Sequence, residues 1–245
     1  GNVIGIQSPT QQVVYDWNTE NRLIGADITE GSETQQLEYI YDVDGIRVAS
    51  IVDGQETRYL VDTNRQYAEV LEEYIPGGET EVSYVHGLDL ISQTRDDNTS
   101  FYLYDRHSGV RQLTNESAVV TDTYNYDAYG NLLNSTGSTE NSYLYRGEQY
   151  DQDLGMQYLR ASYYQPQTGR FESVDPFEGM LEMPMTRHRY IYGNDNPISY
   201  LDPSGELSLA ASATTSISGI LSSITIPGLV SLGGILSAAF VSGVK

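Results

Sequence analysis

Apolar and polar positions alternate in short runs over roughly the first 150 residues, and glycine-containing turns break the runs. Such a period of two places alternate side chains on opposite faces of a strand. The stretch Ile46-Arg47-Val48-Ala49-Ser50-Ile51-Val52 partly alternates in this way, and the polar turn Asp53-Gly54-Gln55 follows it. No segment before residue 175 sustains the period of about 3.6 expected of an amphipathic helix. One unit recurs: Tyr-x-Tyr-Asp, then a glycine. It reads Tyr39-Ile40-Tyr41-Asp42 with Gly45, Tyr102-Leu103-Tyr104-Asp105 with Gly109, and Tyr124-Asn125-Tyr126-Asp127 with Gly130. Tyr143-Leu144-Tyr145-Arg146 with Gly147 is a worn copy, and Tyr15-Asp16 opens a partial one. Weaker strand signals at Tyr59 and Tyr84 fill the long gap, giving a loose unit of about 20 residues. Tyr-x-Tyr sets both rings on one strand face, and Asp with Gly supplies the turn. Strand, turn, strand, turn predicts stacked β-hairpins that cover one another's edges. An ordinary tyrosine-rich β-sandwich fits the spacing as well.

Composition narrows the function. The 245 residues carry 34 acidic and 13 basic side chains, a net charge of −21. A broad basic face for nucleic acid is therefore not expected. Cysteine is absent, so disulfides, thiol nucleophiles and thiolate metal sites are excluded. Tyrosine is the outlier, with 21 against four Phe and one Trp. Its apolar ring and polar tip suit a strand whose inner face is partly wet. His86, His107 and His188 are too scattered to suggest a metal site, and Asp42-Val43-Asp44-Gly45 lacks the later ligands of a calcium loop. Neither a metal nor a cofactor is expected. Asn98, Asn115 and Asn134 stand in glycosylation sequons that would matter only in a eukaryotic secretory pathway. The chain opens at Gly-Asn-Val-Ile without a signal-peptide pattern, and reads as a piece of something longer.

The closing segment is more specific. Residues 158–176 read YLRASYYQPQTGRFESVDP, and residues 189–205 read RYIYGNDNPISYLDPSG. Together they resemble the RHS-repeat-associated core segment, and the Tyr-Asp units upstream extend the likeness to YD-repeat proteins over roughly residues 15–205. The resemblance implies a mostly β fold: YD-repeat hairpins forming part of a spiralling hollow shell, closed by an irregular plug and followed by an apolar, helix-compatible tail. The implied divisions are 1–157 for the shell strip, 158–207 for the plug and 208–245 for the start of the enclosed cargo. In several family members the plug is an intramolecular aspartyl protease that cuts just after the second Asp-Pro-x-Gly. Mapped onto this sequence, the catalytic residues are Asp175 and Asp202, with Arg170 positioning a carboxylate or oxyanion. Gly205 would present the bond between Glu206 and Leu207, or, since Glu206 departs from the family's apolar residue, the bond after Leu207.

Elementary chemistry agrees with that assignment. Two carboxylates brought together cannot both ionise easily, so they share a proton near neutral pH. One then activates water while its partner polarises the scissile carbonyl. Two departures weigh against cleavage. Glu206 stands where the family usually has an apolar residue, and Asp175-Pro-Phe-Glu-Gly is one residue longer than the usual motif. The plain alternative is that each Asp-Pro only starts a turn.

From Leu207 to Val244 no residue is charged, and Pro227-Gly228 divides the stretch. Segments 209–226 and 228–244 are near the shortest lengths that span a bilayer as helices. Two readings follow: cargo held inside the shell, or a hairpin that contacts a membrane, with Gly228, Gly233, Gly234 and Ser237 allowing close packing. The partners expected are the chain's own C-terminal cargo, an immunity protein and a component of a secretion apparatus. The expected location is secreted or bound to a bacterial cell surface. The alternative function is a non-cleaving structural or adhesive module that binds carbohydrate or partner surfaces.

Overall fold

The computed structural model describes residues 1–175, 187–202, 204–205 and 209–210. Thirteen strands form one antiparallel sheet in which each strand pairs with its neighbours in sequence. They are β1 (Gly5–Gln7), β2 (Gln11–Trp17), β3 (Leu23–Glu30), β4 (Glu33–Tyr41), β5 (Arg47–Val52), β6 (Gln55–Asp62), β7 (Glu69–Tyr74), β8 (Thr80–His86), β9 (Leu90–Arg95), β10 (Asn98–Tyr104), β11 (Val110–Thr114), β12 (Val120–Tyr126) and β13 (Leu132–Thr136). The weak signals at Tyr59 and Tyr84 lie in β6 and β8, as the alternation predicts. Among the described residues there is no α-helix.

The repeat's two parts do different work. Tyr39, Tyr102 and Tyr124, the first ring of each clear unit, are buried on the inner face of the sheet. The second ring reaches back toward an earlier strand. The Tyr41 hydroxyl donates to the Leu23 carbonyl at 2.6 Å, and the Tyr104 hydroxyl donates to that of Leu90 at 2.6 Å. Tyr41 and Tyr104 thus pack a ring and satisfy its tip, as a phenylalanine could not. The aspartate after the rings closes the turn. Asp42 Oδ1 accepts from the amides of Asp44 and Ile46 at 3.0 and 2.8 Å. Asp105 Oδ1 does the same for His107 and Gly109, and Asp127 Oδ1 for Tyr129 and Asn131. Asn18 and Asn115 make the same pair of bonds at two further turns. The Asp42-Gly45 segment is therefore a turn.

The closing segment is more regular than expected. A second antiparallel sheet contains β14 (Gln149–Asp151), β15 (Met156–Leu159), β16 (Ser162–Gln165) and β17 (Arg170–Phe171). The expected boundary between 157 and 158 falls inside β15. The worn repeat at Tyr143–Arg146 is not a strand. Arg146 has φ 61° inside a 3-10 turn at Tyr145–Gly147, and this left-handed residue breaks the alternation. Two further short strands are β18 (Tyr200–Leu201) and β19 (Leu209–Ala210).

The small sheet packs on the inner face of the large one. Met156, Tyr158 and Tyr163 join a core with Val13, Tyr15, Leu23, Ala26, Ile28, Leu37 and Tyr39. Leu159, Tyr164, Phe171 and Tyr192 join a second core with side chains of β8–β12. Arg47 links the layers. It is 3% exposed, and its guanidinium donates to the Tyr163 hydroxyl and to Gln149 Oε1, both at 2.8 Å. It also lies 3.3 Å from Asp151, and over the Tyr158 ring at 4.4 Å. Burial works against this charge, but the surrounding tyrosines and Asp151 hold the guanidinium well above the ordinary arginine value. The Tyr39 hydroxyl completes the cluster by donating to Asp151 at 2.7 Å.

Candidate functional site

The turn between β15 and β16 organises the site. Arg160 occupies it with φ 60°, and Ala161 follows. Two segments converge there. The first leaves β17: the Glu172 amide donates to the Tyr163 carbonyl at 3.0 Å, and Ser173 Oγ lies 3.3 Å from Ser162 Oγ. It then reaches Asp175, whose amide donates to the Arg189 carbonyl at 2.9 Å. The second segment carries Asp202. Its Oδ1 accepts from the Gly205 amide at 2.9 Å and from Ser204 Oγ at 3.2 Å. The Ala161 amide donates to the Ser204 carbonyl at 3.3 Å, which fastens this loop to the hairpin turn.

Gly205 is required by both conformation and space. Its φ is +74°, and a side chain there would run into the Leu159 carbonyl oxygen. Asp202 caps the turn much as the repeat aspartates cap theirs, yet it is only 2% exposed and Asp175 only 9%. Turn-starting aspartates normally face solvent, so the burial of both Asp175 and Asp202 is unusual.

The remaining sequence-derived residues lie as follows. Arg170 is exposed on β17, paired with Gln165 on one side and bridged to Ile191 on the other, while Phe171 points into the core. Its guanidinium is thus on the outer side of a two-residue strand. Glu206, Leu207 and the apolar stretch 211–245 lie outside the described residues. Among the described residues no cluster of His, Cys, Asp and Glu could hold a metal, and no helix is long and apolar enough to cross a membrane.

Sequence reasoning missed a second pair beside Asp202. Glu148 Oε2 lies 2.8 Å from Arg160 Nη1, with both side chains largely buried. Arg160 Nε also donates to the Ala68 carbonyl at 3.2 Å, and its guanidinium lies 5.4 Å from the Tyr67 ring centre. Burial raises the Glu148 carboxyl above the usual range, Arg160 pulls it down, and the Asp202 charge pushes it up. Glu148, Arg160 and Asp202 share the wall of a cavity of about 510 Å³. Arg160 belongs to the motif at residues 158–176. Glu148 carried no signal beyond its place after the worn repeat.

Comparison with known proteins fits this architecture. No family model matches the chain. It is 34% identical over 206 residues to the tRNA3(Ser)-specific nuclease WapA of Bacillus spizizenii, covering 82% of this chain and 9% of that protein. It is 32% identical over 206 residues to the tRNA nuclease WapA of Bacillus subtilis strain 168, with the same two shares. Among solved structures, it superposes on the Tc holotoxin pore of Photorhabdus luminescens with a TM-score of 0.63 at 18% identity, covering 81% of this chain and 10% of that one. These likenesses support an RHS-repeat family for the chain. Its thirteen-stranded sheet is an RHS-shell-like module with the fold of the Tc toxin shell. The chain spans about 9% of the length of the WapA relatives.

Proposed function

We propose that this chain is the closing end of a toxin-enclosing RHS shell, and that it cuts itself once from its C-terminal cargo with Asp175 and Asp202. The reading is carried by the burial of both aspartates and the arrival of both segments at the β15–β16 turn, where Gly205 is pinned. Buried carboxyls held in one small region share a proton instead of both ionising. The ionised member takes a proton from a water, whose oxygen attacks the carbonyl carbon of Glu206. The protonated member donates to the carbonyl oxygen. Collapse of the tetrahedral intermediate breaks the Glu206–Leu207 bond, and the leaving nitrogen takes a proton. Water is the only co-reactant, and the two new ends are a carboxylate and an amine.

The chain's own tail from Leu207 onward is the cargo start in this reading. Relatives named as tRNA nucleases support a toxin following it, and a secreted or surface-bound location fits a delivery shell. The test is to produce the chain within its full shell at neutral pH and to analyse it by denaturing gel and intact mass. Parent protein is expected as two fragments with the new end at Glu206, and Asp202→Asn as one chain. An intact parent, indistinguishable from Asp202→Asn, would instead favour the non-cleaving structural or adhesive module.

A further inference from the structure

We propose that Glu148, held by Arg160, is a positioning residue for Asp202: its negative charge keeps the shared proton on the aspartate pair at neutral pH, and the ion pair fixes the turn on which the Asp202 loop rests. The inference rests on the self-cleavage reading above and extends it to a third carboxyl.

Three geometric facts support it. Glu148 and Arg160 are 2.8 Å apart and largely buried, so neither charge is strongly screened by solvent. Arg160 stands in the left-handed turn whose next residue, Ala161, holds the Ser204 carbonyl, so the ion pair and the Asp202 loop share one backbone anchor. Glu148, Arg160 and Asp202 line the same cavity. A carboxylate fixed beside an acid makes its ionisation harder, and the effect is mutual. The Asp202 charge raises Glu148, and Glu148 must therefore oppose ionisation of Asp202.

The other charged and titratable groups on this wall are Arg47, Arg65, Tyr67, Glu69, His86, Asp89, Tyr104, His107, Tyr143, Arg146, Tyr158 and Tyr192. Arg65 and His86 both face Glu69, at 3.1 and 3.4 Å, and Arg47 faces Asp151. Their contribution is common to parent and variant and cancels in the difference between the two.

The experiment compares the parent with Glu148→Gln and Glu148→Asp, each produced within its full shell. Two quantities are read: the pH dependence of cleavage, and the titration of the Asp202 carboxyl carbon by NMR in the background of a slowed Asp175→Asn chain. Glu148→Gln is expected to move the basic limb of the cleavage profile down by on the order of one pH unit, with cleavage at neutral pH roughly tenfold slower and recovered in acid. Glu148→Asp is expected to restore most of the neutral activity. The Asp202 titration is expected to fall with Glu148→Gln. An unchanged Asp202 titration overturns the inference whether or not the chain cuts itself. A shifted titration in a parent that never cleaves keeps the Glu148–Asp202 coupling and removes the protease reading. Loss of cleavage at every pH, with no rescue by Glu148→Asp, overturns the charge role in favour of a structural one.

Discussion

Two buried tyrosines show how much depends on a single hydroxyl. The Tyr84 hydroxyl donates to buried Glu73 at 2.7 Å, whereas the Tyr126 hydroxyl is buried without a hydrogen-bond partner. Tyr84→Phe strands a buried carboxyl and should cost roughly 1.5–3 kcal/mol, while Tyr126→Phe should be neutral or slightly stabilising. Urea unfolding of both variants against the parent checks the contrast. Equal losses would mean that the inner face is wetter than the hydrogen bonds imply. Arg47 is the more extreme case. Arg47→Met leaves Asp151 uncompensated between two sheets, and a loss of about 3–5 kcal/mol is expected. An unchanged urea midpoint would show that the buried ion pair contributes nothing net to stability. The tyrosines were legible in the sequence as a periodic pattern. The partner of each hydroxyl was not, because the hydroxyl of Tyr39 meets Asp151 across 112 positions of sequence.

At the level of elements, the turns explain why the repeat keeps an aspartate after its rings. One side-chain oxygen satisfies two amides that the strand ladder cannot reach. Asn18 and Asn115 do this with a neutral amide, so Asp42→Asn should change stability by less than about 0.5 kcal/mol, and Asp42→Ala should cost about 1–2 kcal/mol. Thermal melting of the two variants tests this, and a large penalty for asparagine would assign the charge itself a role. The plug turn obeys a stricter rule. Gly205→Ala places a methyl against the Leu159 carbonyl at positive φ, so the Asp202 loop must shift. Cleavage should fall far more than stability, as read by gel and by melting on the same sample. The sequence marked this glycine only through a family likeness. The collision that requires it belongs to β15, which no local pattern ties to residue 205.

Across the whole molecule, opposing groups of carboxyls set the response to pH. Burial raises Glu73, Glu148 and Glu172 above the usual glutamate range. A raised carboxyl binds its proton more tightly in the folded state, so its contribution is full at acid pH and is lost as pH rises through the raised value. Asp105 and Asp127 go the other way. Burial opposes ionisation, but hydrogen bonds from Arg111 and Asn131 and from turn amides hold both below the usual range. Their contribution is lost as pH falls through those depressed values. A net charge of −21 adds self-repulsion near neutral pH. The urea midpoint should therefore rise from pH 8 to about pH 5 and fall again below about pH 4. Glu73→Gln should flatten the upper part. A midpoint that increases with pH across that range would contradict the assignment of these buried glutamates.

The sequence by itself determined the strand content, the order of the hairpins, the turn chemistry and the family likeness. All of these are local, since alternation, Asp-Gly turns and a contiguous motif act over a few residues. Tertiary structure decided the rest. It folded the closing segment into a second sheet, buried Arg47 between the layers and set Arg170 on the outer side. It also brought Glu148 to the cavity wall that Asp202 lines. Those outcomes depend on which distant side chains exclude water from one another, and no pattern within a single strand records that.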